Sequence, residues 1–477
     1  MLKKTSILMM AFFLCTAGAC ANSALSSEVS EKAQSTYSEN TVKYDAAADT
    51  DEVSVQDKAD TDQESESSIS SEASANGSSD TTEESTSSTA DETVSSADIS
   101  EKSTSGSTND STKVYTANTD GKLDTADLFS DRDLTQSPDL SGASTINAEN
   151  NKTVTISEEG TYILTGTASE FTVKVDTDKQ NKVQIVLDNA NITNTSTPVI
   201  YVVSADKCFV TTAEGTSTLS VTGSFTADGD TNTDAVIYSK DDLVLNGKGT
   251  LVIDSSENGI SGKDDIKITG GTYEITSNAD SIEANDSIAV YDGTFTFNTS
   301  KDALHSENDD DDTVGWIYIQ NGSFTINASS DGIQAATVVQ IDGGSYNITS
   351  SEGIEATYVQ INGGDISITA SDDGINASTK SKSMGTPVVE VNGGSITIVM
   401  GQGDTDAIDA NGNIIVNGGT INITAQVSSF DYDGTAEYNG GTIIINGSQV
   451  DSIPQSMMGG GGMGGMGGFQ GRGGRMF

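Results

Sequence analysis

From Thr272 onward the chain alternates. TYEITS (272–277), TFTFNTS (294–300), SFTINAS (323–329), SYNITS (345–350), DISITAS (365–371), SITIV (395–399) and TINITA (420–425) each place an apolar residue at every second position. A period of two marks a strand with one buried face. Each run after the first, which follows Gly270-Gly271, lies just beyond an Asn-Gly or Asp-Gly pair, and these pairs recur in phase at 246, 292, 321, 342, 362, 392, 417 and 439. Such pairs reach left-handed conformations and so predict sharp corners. Stacked in register, their side chains predict an internal amide ladder behind the corner.

A second landmark keeps the same phase. SDGIQA starts at Ser330, SEGIEA at Ser351 and SDDGINA at Ser371. The acid before Gly-Ile, or its equivalent, falls at Asp234, Asp280, Asp302, Asp331, Glu352, Asp373, Asp406 and Asp431, with Asn258 filling the second place. Successive gaps are 24, 22, 22, 29, 21, 21, 33 and 25 residues, a basic unit of 21–22 with insertions before Asp331 and Asp406. Two or three short strands fill that unit and leave no room for a crossover helix, so each repeat is one coil of a solenoid. The prediction is an all-β, right-handed parallel β-helix, right-handedness being the default for parallel connections. Its folded part runs from near Thr145, where NKTVTISEEGTYILTG reads as paired strands, to near Ile453. About 13 coils at ~4.8 Å would make a rod of roughly 60 Å. Ile260, Ile282, Leu304, Ile333, Ile354, Ile375 and Ile408 should form one internal ladder, and Ala284, Ala335, Ala356, Ala377 and Ala410 a slimmer one. Tyr273, Phe295, Phe324 and Tyr346 should stack in a third, continued by Ile366, Ile396 and Ile421.

The acids admit two readings. Carboxylates every ~4.8 Å repel by about 1 kcal/mol per neighbour even in water, and Asp is disfavoured in strands but common before glycine at corners. Glu352 is a poor turn former, however, and keeps only the carboxylate in common with its neighbours. Further acids follow at Glu283, Glu355 and Asp409. Acids paired across coils near backbone carbonyls are hard oxygen ligands suited to Ca²⁺. The candidate metal residues are thus Asp280, Glu283, Asp302, Asp331, Glu352, Glu355 and Asp373, with the Asn308–Asp312 run in the first insertion available to complete a site. That run is not an EF-hand, lacking its glycine and spaced glutamate. SKDD (239–242) and GKDD (262–265) repeat a Lys-Asp-Asp cluster that reads as intercoil ion pairs or as cation ligands. Trp316 and Tyr318 could present a stacking platform to sugar or anchor the acidic insertion from inside. His305, one place beyond inward Leu304, is expected to face solvent.

Charge and ends add context. Net charge is −48, from 71 acids and 23 bases, which argues against nucleic acid as a partner. Residues 1–20 read as an export signal: Lys3-Lys4, the run ILMMAFFLC, then Ala17-Gly18-Ala19-Cys20. Cleavage there would release a soluble chain, or a lipobox-like site would acylate Cys20 and tether the protein to the cell surface, the membrane being touched only through that anchor. Cys208 reads as a small buried residue. Residues 21–140, rich in Ser, Thr, Asp and Glu and without aromatics from Asp45 to Val114, predict a disordered spacer. The helix occupies 141–455, and 456–477 form a Gly/Met/Arg-rich flexible tail.

The runs TVTISEEGTYILTG, SKDDLVLNGKGTL, NGISGKDDIKITGGTYEITS and SDGIQAATVVQIDGG resemble the secreted clostridial carbohydrate-binding domain family over roughly residues 140–450. The resemblance implies a pectate-lyase-like right-handed β-helix that binds Ca²⁺ and plant-wall glycans, cellulose and polygalacturonate, without known catalytic residues. Enzymes of that fold commonly use an arginine base, whereas Arg132, Arg472 and Arg475 all lie outside the predicted helix. Asp372-Asp373 could echo the aspartates of polygalacturonases, but the rest of that pattern is missing, and only a lysine base such as Lys301 or Lys380 is left for a lyase. The expected protein is a monomeric, non-catalytic, surface-tethered binder of polysaccharide that uses Ca²⁺. The alternatives are an adhesive rod stabilised by Ca²⁺ and a lyase.

Overall fold

Each coil of the chain makes three short parallel strands, one on each side of a three-sided prism. The structure, a computed structural model, describes residues 122–402 and 405–454. Among these there is no helix. The first face is a twelve-stranded parallel sheet, from Lys152–Ile156 through Asn258–Gly262, Asp331–Ala335 and Glu352–Ala356 to Ser428–Tyr432. The second face includes Leu243–Gly247, Ser287–Val290, Trp316–Ile319 and Tyr358–Ile361. The third includes Thr272–Ser277, Thr294–Thr299, Ser323–Ala328 and Ser345–Ser350. Pairing between strands of the two sheets is parallel until the final hairpin, where Ile443 opposes Val450 in an antiparallel pair.

The predicted ladders are present in register. Ile260, Ile282, Leu304, Ile333, Ile354, Ile375 and Ile408 are successive partners, all fully buried. In the slimmer ladder Ser306 stands between Ala284 and Ala335. Tyr273, Phe295, Phe324 and Tyr346 stack with centroid separations of 5.5, 4.4 and 4.8 Å, near the strand spacing itself. Twelve coils cross the first face rather than about thirteen. The last acid of the series is reassigned as well: Asp406 pairs with Ser428, whereas Asp431 pairs with Asp409 one column away.

Glycine serves two purposes at these corners. A Cβ on Gly332, Gly353 or Gly374 would come within 2.3–2.6 Å of a carbonyl oxygen on the next coil, so the glycine of the DGI motif is there for close approach. In the Gly-Gly corners it is the second residue, such as Gly364 at φ +99°, that takes the left-handed conformation.

Residues 122–140, assigned to the spacer by composition, instead lie against the prism. Leu128 packs with Ala289, Trp316, Tyr318, Val338 and Met384. Farther along, Arg132 lies 4.5 Å over the Phe209 ring, Asp133 is fully buried, and Gln136 accepts the Gly247 N–H at 2.8 Å. Leu123 and Phe129 of LDTADLF pack around the same cluster, so apolar and polar contacts together hold this strap.

Candidate functional site

Two columns of polar side chains run along the first face. The first holds Asn258, Asp280, Asp302, Asp331, Glu352, Asp373, Asp406 and Ser428; the second holds Ser261, Glu283, His305, Gln334, Glu355, Asn376, Asp409 and Asp431. Much of the first column is tied by one repeated bond. Oδ1 of Asn258 accepts the Asp280 N–H at 2.8 Å, Asp280 accepts the Asp302 N–H at 2.9 Å, and Asp302 accepts the Asp331 N–H at 2.7 Å. Asp373 does the same for Asp406 at 3.1 Å. One carboxylate oxygen per residue therefore satisfies the next coil's backbone, and an amide does so equally well at Asn258.

The seven predicted metal residues separate into groups. Asp280 and Asp302 gather with His305, which the structure places against them and not in solvent. Its Nδ1 lies 3.3 Å from Asp280 and its Nε2 3.4 Å from Glu307. Burial works to lower the His305 pKa, but the hydrogen bonds to Asp280 and Glu307 and the charges of Asp280 and Asp302 outweigh it and push it up to about 10. A protonated imidazolium thus already offsets part of the charge of these carboxylates. Glu283 stands apart, accepting Asn258 Nδ2 at 2.8 Å and Ser261 Oγ at 3.0 Å. With Lys263, His305, Glu307 and Asn308–Asp310 it lines an open cleft of about 280 Å³, so the acidic insertion does come over the first face.

Asp331, Glu352 and Glu355 form the second group, with one carboxylate oxygen of each within 4.8 Å of the others. Here the repeated backbone bond gives way, because Glu352 breaks the run of aspartates. Burial, then the charges of Asp302, Glu352 and Glu355, push Asp331 up to about 8; burial and Glu355 raise Glu352 to about 7. The excess negative charge is partly met by neighbours. Lys380 Nζ lies 2.5 Å from Glu355, Ser378 Oγ donates to Glu355 at 2.8 Å, and Asn376 Nδ2 donates to Glu352 at 3.0 Å. Asn376 Oδ1 is buried without a hydrogen-bond partner. Asp373 sits one coil on, raised to about 7 by burial above all, and outside this triad.

The triad lies on coils with short corners between the two long insertions, 307–315 and 378–387. These insertions touch: Ser381 Oγ and Ser383 Oγ both donate to the Asp312 carbonyl. Thr357 pins the second insertion by accepting the N–H groups of Lys380 and Ser381, each at 3.0 Å.

A third acid cluster joins Asp242, Asp264 and Asp265 from the two Lys-Asp-Asp repeats. Lys207 lies 3.7 Å from Asp242, while Lys263 of the repeat turns instead toward Glu283, also at 3.7 Å.

Trp316 and Tyr318 form no sugar platform. They are 1% and 4% exposed, covered by Leu128 and Met384, and Tyr318 donates its hydroxyl to Asp342 at 2.8 Å. Of the two sequence readings, the internal anchor holds. The Asn-Gly ladder is real but lies at the surface: Asn439, Asn417, Asn392 and Asn362 each donate to the preceding coil at 2.7–2.8 Å, ending on Asp342. Cys208 is buried as expected, and burial pushes its thiol up to about 12. Cys20, the signal, residues 21–121 and the tail from 455 lie outside the described residues. Sequence reasoning overlooked His305, Asn376 and Lys380 as partners of the acids. The signal for the first two was there, since each holds the place of Glu283 and Glu355 in its repeat.

A parallel β-helix with carboxylate columns on one face is thus the class of protein these residues define. Residues 150–405 and 351–452 match the family described as carbohydrate-binding domain-containing protein, and the chain belongs to it. It is similar to a carbohydrate-binding domain-containing protein of Acetivibrio thermocellus, 33% identical over 150 residues, 31% of this chain and 51% of that one. The chain therefore spans about half the length of that curated relative. It is also similar to the structure of a polysaccharide lyase-like protein from C. thermocellum, a gadolinium derivative. That comparison gives 27% identity over 44% of this chain and 93% of that one, with a TM-score of 0.43.

Proposed function

We propose that this is a non-catalytic extracellular protein that binds acidic plant-wall polysaccharide through Ca²⁺ shared between its own carboxylates and those of the glycan. The observation that carries the reading is the Asp331, Glu352 and Glu355 triad between two insertions that meet. Its donors are all hard oxygens, which fit Ca²⁺ better than a softer metal. Asn376 Oδ1 is a further oxygen in need of a partner. When bound, the ion supplies the positive charge that lets a chain of net charge −48 hold an anionic polymer. Lys380 holds Glu355, and the amide of Asn376 donates to both Glu352 and Glu355.

A lyase reading is disfavoured. Burial alone would lower the Lys380 pKa, but Glu355 raises it above the ordinary lysine value, so the side chain stays protonated and is a poor base. Arg132 lies on the strap over Phe209, far in sequence and fold from the triad. One observation favours a purely structural ion in a rod: the acids of the first column already bond between coils. Retention on polygalacturonate with and without chelator separates that reading, since a purely structural ion predicts no glycan retention. In this proposal residues 1–20 direct export, Cys20 carries the lipid, and the chain acts as a monomer held from the cell surface by the segment before residue 122.

Calorimetric titration of Ca²⁺ into the Asp331→Asn/Glu352→Gln double variant tests the site. These changes keep shape and remove two charges, so Ca²⁺ affinity should fall by at least about tenfold, with loss of polygalacturonate retention. Unaltered affinity and stoichiometry would return both residues to the role of corner acids.

A further inference from the structure

Asp133 and Lys207 meet in the interior, where the strap crosses the second face. Their side chains are 1% and 5% exposed, and Lys207 Nζ lies 3.7 Å from Asp133 Oδ1. Lys207 opens the strand Lys207–Thr212, and Asp242 immediately precedes Leu243–Gly247 on the next coil. Asp242 Oδ2 is likewise 3.7 Å from the Lys207 amine. The strap residue is held firmly at its other atoms. Asp133 Oδ2 accepts the Ser130 N–H at 2.9 Å, and the Asp133 carbonyl accepts Thr269 Oγ1 and Asn246 Nδ2. Asp133 Oδ1, by contrast, is buried with no hydrogen-bond partner.

A buried ion pair is the ordinary reading of such a contact, and it fits poorly. Taking two charges out of water is repaid only by charge-assisted hydrogen bonds at about 2.8 Å. At 3.7 Å the Asp133 Oδ1 atom has neither water nor a donor. Elsewhere the chain builds its lysine contacts differently. Lys179 touches Asp241 and Lys380 touches Glu355 within hydrogen-bonding reach, and both lysines meet solvent. Lys267, buried under the same strap, donates to the Leu128 carbonyl at 2.8 Å.

An amine, a carboxyl group and a second acid in contact, with water excluded, form an arrangement suited to condensation. We propose that Lys207 Nζ and Asp133 Cγ form an intramolecular isopeptide bond that fastens the strap to the second face. The step balances within the group. Asp242 carries two protons in turn from Nζ to Oδ1, the Nζ–Cγ bond forms, the Cγ–Oδ1 bond breaks, and Oδ1 leaves as water. The Ser130 N–H stays on Oδ2 and stabilises the charge that gathers there while the carbon is tetrahedral. Burial above all, and then the charge of Asp265, push Asp242 up to about 6, which suits an acid that takes and returns a proton. The bond closes a ring between residues 133 and 207. A pull on the chain before residue 122 would then pass from the strap straight into the second face, bypassing residues 134–206. The proposal rests on the Asp133 contact and is independent of the cation reading above.

Tryptic mapping of the denatured full chain by mass spectrometry is the test. Cleavage after Arg132 and Lys152 frees residues 133–152, and cleavage after Lys182 and Lys240, with Lys207 blocked, leaves 183–240. The wild type should yield these two joined, about 18 Da lighter than their sum. Lys207→Gln, which has no nucleophilic amine, should yield them only as separate linear peptides. Asp242→Asn, sampled soon after synthesis, should link at least about tenfold more slowly. Mass is the readout because loss of a buried ion pair would also lower the melting temperature. Linear 133–152 and 208–240 peptides alone from the wild type overturn the proposal, whether or not the variants fold. A branched peptide from Lys207→Gln overturns it too, since the bond would then lie on another residue. Linking by Asp242→Asn at the wild-type rate overturns the proton route.

Discussion

Asp302 illustrates what an acid before glycine does in this chain. Its Oδ1 accepts the Asp331 N–H, which would otherwise be buried between coils without a partner. Asn258 makes the same bond without a charge. Asp302→Asn should therefore leave stability nearly unchanged, whereas Asp302→Ala should cost about 1–3 kcal/mol through the orphaned N–H. Urea unfolding of both variants checks this; equal loss in both would show that the charge, acting with His305, matters more than the acceptor. At the triad the chemistry changes with a single methylene. Glu352 reaches past the backbone bond that an aspartate would make, and its carboxylate joins Asp331 and Glu355 instead. The column was legible in the sequence as spacing. The split into structural and ligand-like members was not, because it depends on which oxygen faces the next coil.

At the level of elements, periodicity carried most of the information. Alternating runs and glycine corners placed the inward ladders residue by residue, since a parallel stack has only one register that keeps every apolar residue inside. Three things escaped. Asp431 fell into the wrong column because Ser428 has no carboxylate to mark the repeat. Trp316 looked available because its acidic surroundings suggested a surface loop, yet the residue begins a strand whose outward side is covered. The cover is the strap at 122–140, a segment whose composition continues that of the residues before it. Limited proteolysis should accordingly leave a resistant fragment that begins near residue 122, not near 141. Leu128→Ala should destabilise by about 2–3 kcal/mol, the lower range for a buried leucine, since the strap can partly settle into the gap. Rapid cleavage between 122 and 140 in the native protein would contradict both expectations.

Across the whole molecule the acids set how stability depends on pH. Asp331 near 8, Glu352 and Asp373 near 7, and Asp242 near 6 are raised mainly by burial, and further by neighbouring carboxylates. His305, near 10, is raised by its acid partners against the effect of burial. Each of these groups binds its proton more tightly folded than unfolded. The stability they contribute is complete below the unfolded carboxylate values near 4 and is lost as pH rises through 6 to 8, with the histidine contribution declining from about 6.5 to about 10. Asp280 acts in the opposite sense. Burial tends to raise it, but the His305 hydrogen bond prevails and holds it below the ordinary value, so its contribution is lost only in strong acid. In chelator the melting temperature should therefore be highest at weakly acidic pH and fall steadily from pH 5 to pH 8, helped by the self-repulsion of the −48 chain. Calcium should act where the protons leave. An ion bound only by the folded state adds about 2.7 kcal/mol at a hundredfold excess over Kd. The rise in melting temperature on adding Ca²⁺ should be several degrees at pH 8 and small at pH 5, where protons compete for the same oxygens. Differential scanning calorimetry at the two pH values, with and without the ion, measures this. A melting temperature that rises from pH 5 to pH 8 in chelator, or a calcium effect as large at pH 5 as at pH 8, would mean that the triad is neither the proton store nor the ion site argued for it.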